Sequence, residues 1–455
     1  MASCEAMREG KVARTAGSGS AVVERGAIRC EATVVDLGPK MPNATGICFL
    51  NHMIDQLVSH GQLGIGVQLS IGGVPCEPEV DYALQGAAAR AATPEALAHA
   101  RPHDQTIFEL VGEALGAALR GAAADALSHA PATLGASRFC APLDEAVTEA
   151  VVDLRAASHF AFSLEPYGTI PPAGREWIGL YRTAYTRLLW QRLHGALGGR
   201  MELLKLRGAN AHHIVEATFK AFARALRAHL DAARPPHGTP PSAAPREGAR
   251  SRRTKETSIS VALALDPPGG DGAAREDACV VTVRTGVSLL DRILAELATY
   301  AQMRLAVSCD GDVHIDDHHT AEDVAIAVGQ SLADALGTKA GCNRMGSADA
   351  CEGRARVEVV VDLSNRPHFE SDLELREEWA DGMACEMVLH VFASLTTNAL
   401  CTVHVVQRAA GDGDGACAEL AIATARAYGL ALRQCAVIDP RRAGLTASSK
   451  GTLSA

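Results

Sequence analysis

One segment of this chain occurs twice, and that fact limits the fold more than any other. Thr45–Leu57 (TGICFLNHMIDQL) returns weakly as Thr285–Leu297 (TGVSLLDRILAEL). Ile107–Leu115 (IFELVGEAL) returns as Val324–Leu332 (VAIAVGQSL), and Ala225-Leu226-Arg227 as Ala431-Leu432-Arg433. The matches keep the same order, which is the mark of a tandem duplication. At 455 residues each copy is long enough to bury its own core. Between the copies, Ala233–Pro245 carries too many prolines, with Gly and Ser, to hold a helix or a central strand. The expected organisation is therefore a mobile segment over 1–24, a first copy over 25–231, a linker over 232–253 and a second copy over 254–455.

Within each copy the periodicity alternates. Ser258–Leu263 and Arg356–Val361 read as strands of period two, and Val215–Leu230 and Glu322–Leu336 as helices with apolar residues at i, i+3, i+4 and i+7. Strand groups followed by helices imply an α+β class, with helices packed on mixed sheets. A net charge of −10 argues against nucleic acid or an anionic membrane as the main partner. The short basic run Arg250, Arg252, Arg253 and Lys255 reads as solvated linker. No run of about 18 apolar residues is present, and the N-terminus lacks the apolar region of a secretory signal. Thirteen scattered cysteines without a C-x-x-C pair fit reduced thiols in a cytoplasmic setting.

Two segments carry the chemistry. Asp316–Asp323 (DDHHTAED) sets His318 or His319 three or four residues before Glu322 at a helix start, on one face. Asn210–Lys220 (NAHHIVEATFK) repeats the grammar with His212, His213 and Glu216. Imidazole with carboxylate suits Mn²⁺, Fe²⁺ or Zn²⁺, and the oxygen ligand favours the harder ions. A single H-H-x-x-E is as well explained by a capped helix start with surface histidines; two in one chain are not.

Together with TGICFLNHMIDQL, these segments resemble the imidazoleglycerol-phosphate dehydratase family, and Pro440-Arg441-Arg442 and Ser448–Gly451 are similar to that family's tail. The resemblance runs from about residue 25 to the C-terminus, broken by the linker and by a poorly matching stretch near 62–100. It implies two dehydratase-like units built of ribosomal S5 domain 2-like halves, with helices packed between mixed sheets. It also implies a large homo-oligomer, no nucleic-acid or membrane partner, and a cytoplasmic or plastid location.

Laid on the family, the copies differ in a complementary pattern. The resemblance assigns metal ligation to His52, His212, His213 and Glu216 in the first copy, and to His318, His319, Glu322 and His404 in the second. Opposite these stand Arg101, Pro102, Gln105 and, in an uncertain register, Glu202 in the first copy, and Arg292, Ala418, Glu419 and Ile422 in the second. Each element survives once, as expected of two copies that assemble one dimanganese site between them. The resemblance gives catalytic roles to Glu256, His60 and Lys220, and substrate or phosphate contacts to Gln56, Arg344, Arg366, Ser449 and Lys450. Arg138 is one further phosphate anchor that the first copy retains. Glu256 is equally readable as a solvated residue at a strand start. Asn51 stands where the family has Asp, which would remove a carboxylate supporting His52.

The implied reaction is dehydration of imidazoleglycerol phosphate to imidazoleacetol phosphate in histidine biosynthesis. Metal-bound imidazolate, a glutamate base and loss of the side-chain hydroxyl through a diazafulvene-like intermediate would carry it. Two alternatives stand beside it: a catalytically dead structural or regulatory homologue, and a metal-binding module for another small phosphorylated azole.

Overall fold

The computed structural model describes residues 17–84, 101–171, 174–234, 246–266, 279–411, 415–442, 444–448 and 453. The first copy contains β1 (Ser18–Arg25), β2 (Ile28–Asp36), α1 (Cys48–Gly61), β3 (Leu63–Ile71), α2 (Asp104–Ser128), β4 (Ser137–Leu143), β5 (Ala146–Asp153), β6 (His159–Ser163), α3 (Thr186–Leu197), β7 (Arg200–Arg207) and α4 (Ala211–Ala232). The second follows with β8 (Arg246–Arg253), β9 (Thr257–Leu265), β10 (Val281–Arg284), α5 (Ser288–Ala301), β11 (Arg304–Gly311), α6 (His318–Leu336), β12 (Met345–Glu352), β13 (Ala355–Asp362), β14 (His368–Ser371), α7 (Glu386–Asn398), β15 (Thr402–Ala409) and α8 (Ala416–Ala436).

Among the described residues each copy holds two larger sheets and a two-stranded ribbon, and the four larger sheets repeat one plan. An antiparallel hairpin and a third antiparallel strand are joined at the far edge by a strand parallel to the third: β4-β5-β7-β6, β8-β9-β11-β10 and β12-β13-β15-β14, with the two-residue strand Asn43–Ala44 completing β1-β2-β3. The helices lie between a copy's two sheets, pairing α1 with α4 and α2 with α3, then α5 with α8 and α6 with α7. Glycines let these pairs approach closely. A Cβ on Gly112 would stand 2.4 Å from the Leu189 carbonyl oxygen, and one on Gly116 2.2 Å from that of Leu193, so α2 and α3 meet backbone to backbone. Each copy has its own apolar core, one around Phe108, Trp190 and Phe222, the other around Leu290, Phe392 and Tyr428. No described helix is long and apolar enough to cross a membrane.

Two expected boundaries move. Ser18–Arg25, all but its last residue expected within a mobile segment, is an edge strand paired with β2 along its length. Arg246–Arg253, expected as linker, is the edge strand β8, paired with β9 from Arg246–Leu265 to Arg253–Ser258. Its basic side chains are solvated as expected, but they belong to a strand and not to a linker: the exposed Arg250 reaches Asp334 at 2.7 Å, and Arg252 bonds Asp323. The strand lacks apolar alternation because one side faces helix carboxylates and the other water. The proline-rich 235–245 lies outside the described residues. Cys385 and Cys417 are joined as a disulfide, which corrects the expectation of reduced thiols throughout.

The copies meet through the β4–β7 and β12–β15 sheets, where Cys140, Val147 and Val360 form a small apolar patch. Beside it the buried Glu358 carboxylate accepts two bonds from Arg138, at 2.7 and 2.9 Å, and bonds from Arg408. Arg138 also bonds Glu149, so this expected phosphate anchor is a seam residue. The second copy's tail then crosses the first: Gln62 donates to Asp439 (2.6 Å), Arg441 to Asp231 (2.9 Å), and Arg442 to the Ser59 carbonyl (3.2 Å).

Glu358→Gln removes the charge that two guanidiniums share. Arg138 and Arg408 keep 40% and 33% of their side-chain surface in solvent, so they rehydrate in part. The expected cost is therefore about 2 kcal/mol, below the ~3–5 kcal/mol of a fully buried broken pair. Urea unfolding should show a lower midpoint with an unchanged slope, and an unmoved midpoint would deny the seam its charge-based hold.

Candidate metal centre

Helix α4 builds the centre because its first two turns carry two of the three donors on one face. Asn210 caps it, its Oδ1 accepting from the His212 amide at 2.9 Å. His212 and Glu216, four residues apart, then share a face, and His212 Nε2 lies 2.9 Å from Glu216 Oε2. Helix α1 brings His52 to the same oxygen at 3.2 Å, with Gln56 Nε2 3.3 Å from His52. The three donor atoms lie within 4.8 Å of one another. Lys220 Nζ holds the other oxygen, Oε1, at 2.8 Å from within the core. Burial works against ionisation of Glu216, but Lys220 and the bonds from His212 and His52 outweigh it and hold the carboxyl far below its usual range. Two imidazoles and a permanently ionised carboxylate are a donor set that fits a divalent transition-metal ion.

His213, one residue on, points elsewhere because successive helix positions are about 100° apart. Its Nδ1 lies 2.6 Å from Glu145 Oε2 and its Nε2 3.7 Å from Asp144 Oδ2. Glu145 also accepts from the Asn210 amide at 2.8 Å, so one carboxylate fixes both the helix start and the His213 ring. Asp144 reaches the second copy, where Arg366 donates to it at 2.8 Å and His404 Nε2–H donates to its carbonyl at 2.7 Å. The fused copies thus bring His404 and Arg366 to the edge of the first copy's centre.

The remaining expected ligands form their own cluster. His318 Nε2 is 3.6 Å from Glu322, and His319 Nδ1 is 3.1 Å from Asp312. His390 of α7, which sequence reasoning missed, lies 3.3 Å from Glu322, its ring centroid 5.1 Å from that of His318. Glu256 lies nearby: it is exposed, its carbonyl accepts the Asp312 amide at 3.1 Å, and its charge adds to that of Asp312 in raising the His319 pKa. Among the described residues, every contact these side chains make is within the second copy. One chain therefore holds two half-exposed donor groups, not one joined pair.

Where ligands are missing, ion pairs stand. Arg101 is buried between Asp81 and Asp104, each at 2.8 Å, under the Tyr82 ring. In the second copy Arg292 replaces His52 and bonds Asp381, while Glu296 and Arg426, at the places of Gln56 and Lys220, pair at 2.8 Å. Asn51 accepts from the Thr45 amide and hydroxyl at 2.9 and 2.7 Å, and Asp291 does the same with Thr285. This position ties down a loop and does not support His52, so the expected loss at Asn51 falls away. Arg344 is buried with Nε and Nη2 on Asp362, at 2.7 and 2.8 Å. Ser449 and Lys450 lie outside the described residues.

His60 is fully buried, and neither ring nitrogen has a hydrogen-bond partner. Burial, then Lys220, Arg344, Arg224 and Arg442, push its pKa well below the usual value. The folded protein therefore binds fewer protons here than the unfolded chain, so stability is complete above about pH 6.5 and is lost as pH falls. Thermal midpoints should drop more steeply from about pH 7.5 to 5.5 in the wild type than in His60→Met. Parallel profiles would contradict this.

The sequence model of the imidazoleglycerol-phosphate dehydratase family matches residues 98–226 and 285–432, once in each copy. An imidazoleglycerol-phosphate dehydratase of Gloeobacter violaceus is 40% identical over 209 residues, which is 46% of this chain and 99% of the relative. One of Neurospora crassa is 42% identical over 226 residues, 46% of this chain and 97% of its own length. A solved dehydratase from Staphylococcus aureus is 23% identical, covering 41% of this chain and 97% of its own, with a TM-score of 0.34.

Proposed function

We propose that this chain, which belongs to the imidazoleglycerol-phosphate dehydratase family, dehydrates imidazoleglycerol phosphate in histidine biosynthesis at a dimanganese site completed by a second chain. The observation that carries the reading is the division of donors. His52, His212, His213 and Glu216 open from one copy, and His318, His319 and Glu322 open from the other without touching them. Each set leaves its histidines a quarter to a half exposed, as a surface awaiting a partner would.

Bound Mn²⁺ would supply Lewis-acid polarisation of the substrate's imidazole ring. The chain's own groups do the rest. Glu216 stays ionised because Lys220 neutralises it from beneath, so it offers a carboxylate oxygen at any physiological pH. Glu145 accepts a hydrogen bond from His213 Nδ1–H, which leaves the lone pair of Nε2 available to an ion. Glu256, exposed and acting by its charge on His319, would take a proton from a ring held there. Arg366 stands at the seam with nearly two-fifths of its side chain exposed, where a phosphate would compete for it with Asp144.

His212→Ala and His318→Ala should each lower manganese-dependent dehydration at least about 1,000-fold. Co-expressed, the two variants should recover about a quarter of the wild-type rate, the random-mixing expectation for a closed oligomer with between-chain sites. No recovery on mixing would place the site within one chain. Activity unchanged in either variant would leave a structural homologue as the better reading.

A further inference from the structure

Cys385 and Cys417 stand at two helix starts, the first immediately before α7 and the second in the first turn of α8. Their Cα atoms are 6.3 Å apart, and the disulfide between them ties the two helices start to start across 32 residues of sequence. Glu377 fixes the start of α8, one oxygen accepting from the Gly415 amide at 2.6 Å and the other from the Cys417 amide at 2.8 Å. The start of α7 is held by the Cys385 amide, which donates to the Glu378 carbonyl at 2.9 Å.

The residue before Cys385 connects this bond to the donor group of the second copy. The Ala384 amide donates to Asp317 Oδ2 at 2.7 Å, and Asp317 is the buried residue directly before His318 at the start of α6. On α7 itself, His390 lies 3.3 Å from Glu322, its ring centroid 5.1 Å from that of His318. Two contacts from either side of Cys385 therefore reach the His318–Glu322 group. The covalent bond holds the chain between them.

The first copy has no such bond. Thr183 stands in the place of Cys385, its amide donating to the Glu176 carbonyl as that of Cys385 does to Glu378. Ala211, before His212, stands in the place of Cys417, before Ala418. The first copy's donors sit on α1 and α4, and α3, the counterpart of α7, carries none of them. The cross-link occurs in the copy whose donors lean on the cross-linked helix.

We propose that Cys385 and Cys417 are a reversible dithiol–disulfide switch that sets how firmly the His318–Glu322 group holds a metal ion. The proposal rests on reading that group as metal donors. Reduction by an external dithiol breaks the S–S bond: two electrons and two protons pass to the sulfurs, and the reductant leaves as its own disulfide. Oxidation by a low-molecular-weight disulfide such as oxidised glutathione runs the reverse and releases two molecules of its thiol. Both cysteines are buried, but their neighbours Glu386 and Gly415 are exposed, so exchange passes through fraying of the helix starts. With the bond cut, the start of α7 frays more readily, and the contacts to Asp317 and Glu322 loosen with it.

The test uses the full-length protein equilibrated with oxidised glutathione or with dithiothreitol. Mass spectrometry of alkylated peptides reads the linkage, and equilibrium binding of Mn²⁺ alone reads the affinity. The oxidised form should carry the Cys385–Cys417 bond and bind Mn²⁺ about tenfold more tightly than the reduced form, reversibly. Cys385→Ser and Cys417→Ser should each show the reduced form's affinity in either buffer. Alkylation of both cysteines in the oxidised protein would overturn the switch. Equal Mn²⁺ affinities in the two forms would overturn it too, since a bond that only stapled the fold would move the unfolding midpoint alone. Dehydration absent from both forms, with the affinity shift intact, would uphold the switch and count against the dehydratase reading.

Discussion

The turn at Asp144 and Glu145 joins everything that matters in this molecule. Glu145 holds the start of α4 and the ring of His213, while Asp144 binds Arg366 and accepts from His404 across the seam. Two adjacent carboxylates thus tie the first copy's histidines to the second copy's guanidinium. Each bond is charged or carbonyl-directed and partly shielded, the condition under which such contacts fix geometry firmly. The sheet contact and the crossing tail around it give the turn a rigid frame, with Glu358 as its buried anion.

At the positions aligned with the family's ligands that one copy lacks, the residues present follow electrostatic sense. A metal site that loses its ion leaves carboxylates without a counter-charge, which is costly where water is excluded. In the first copy Arg101 supplies that charge to Asp81 and Asp104. In the second, Arg292 and Arg426 supply it to Asp381, Glu296 and Glu352.

Much of this was readable from the residues. The repeat, the helix starts at His212 and His318, and the pairing of each histidine with a glutamate four residues on follow from helical geometry alone. The edge strands β1 and β8 escaped because they cover helices with charged and small side chains, not with alternating apolar ones. Asn51 was assigned to the wrong neighbour because a side chain beside a ligand in sequence points away from it on a helix. His390 had only a single letter to betray it, on an apolar helix. Which donors share a space depends on how two sheets pack, and no local pattern encodes that.

Division of the donors into two sets that do not touch within one chain is the centre of the account. Size-exclusion chromatography with light scattering and manganese analysis, carried through a dilution series, addresses it most directly. Mass action predicts about two Mn²⁺ per chain in the assembled fraction, released together as chains separate. A lone chain that keeps both ions on dilution would contradict it.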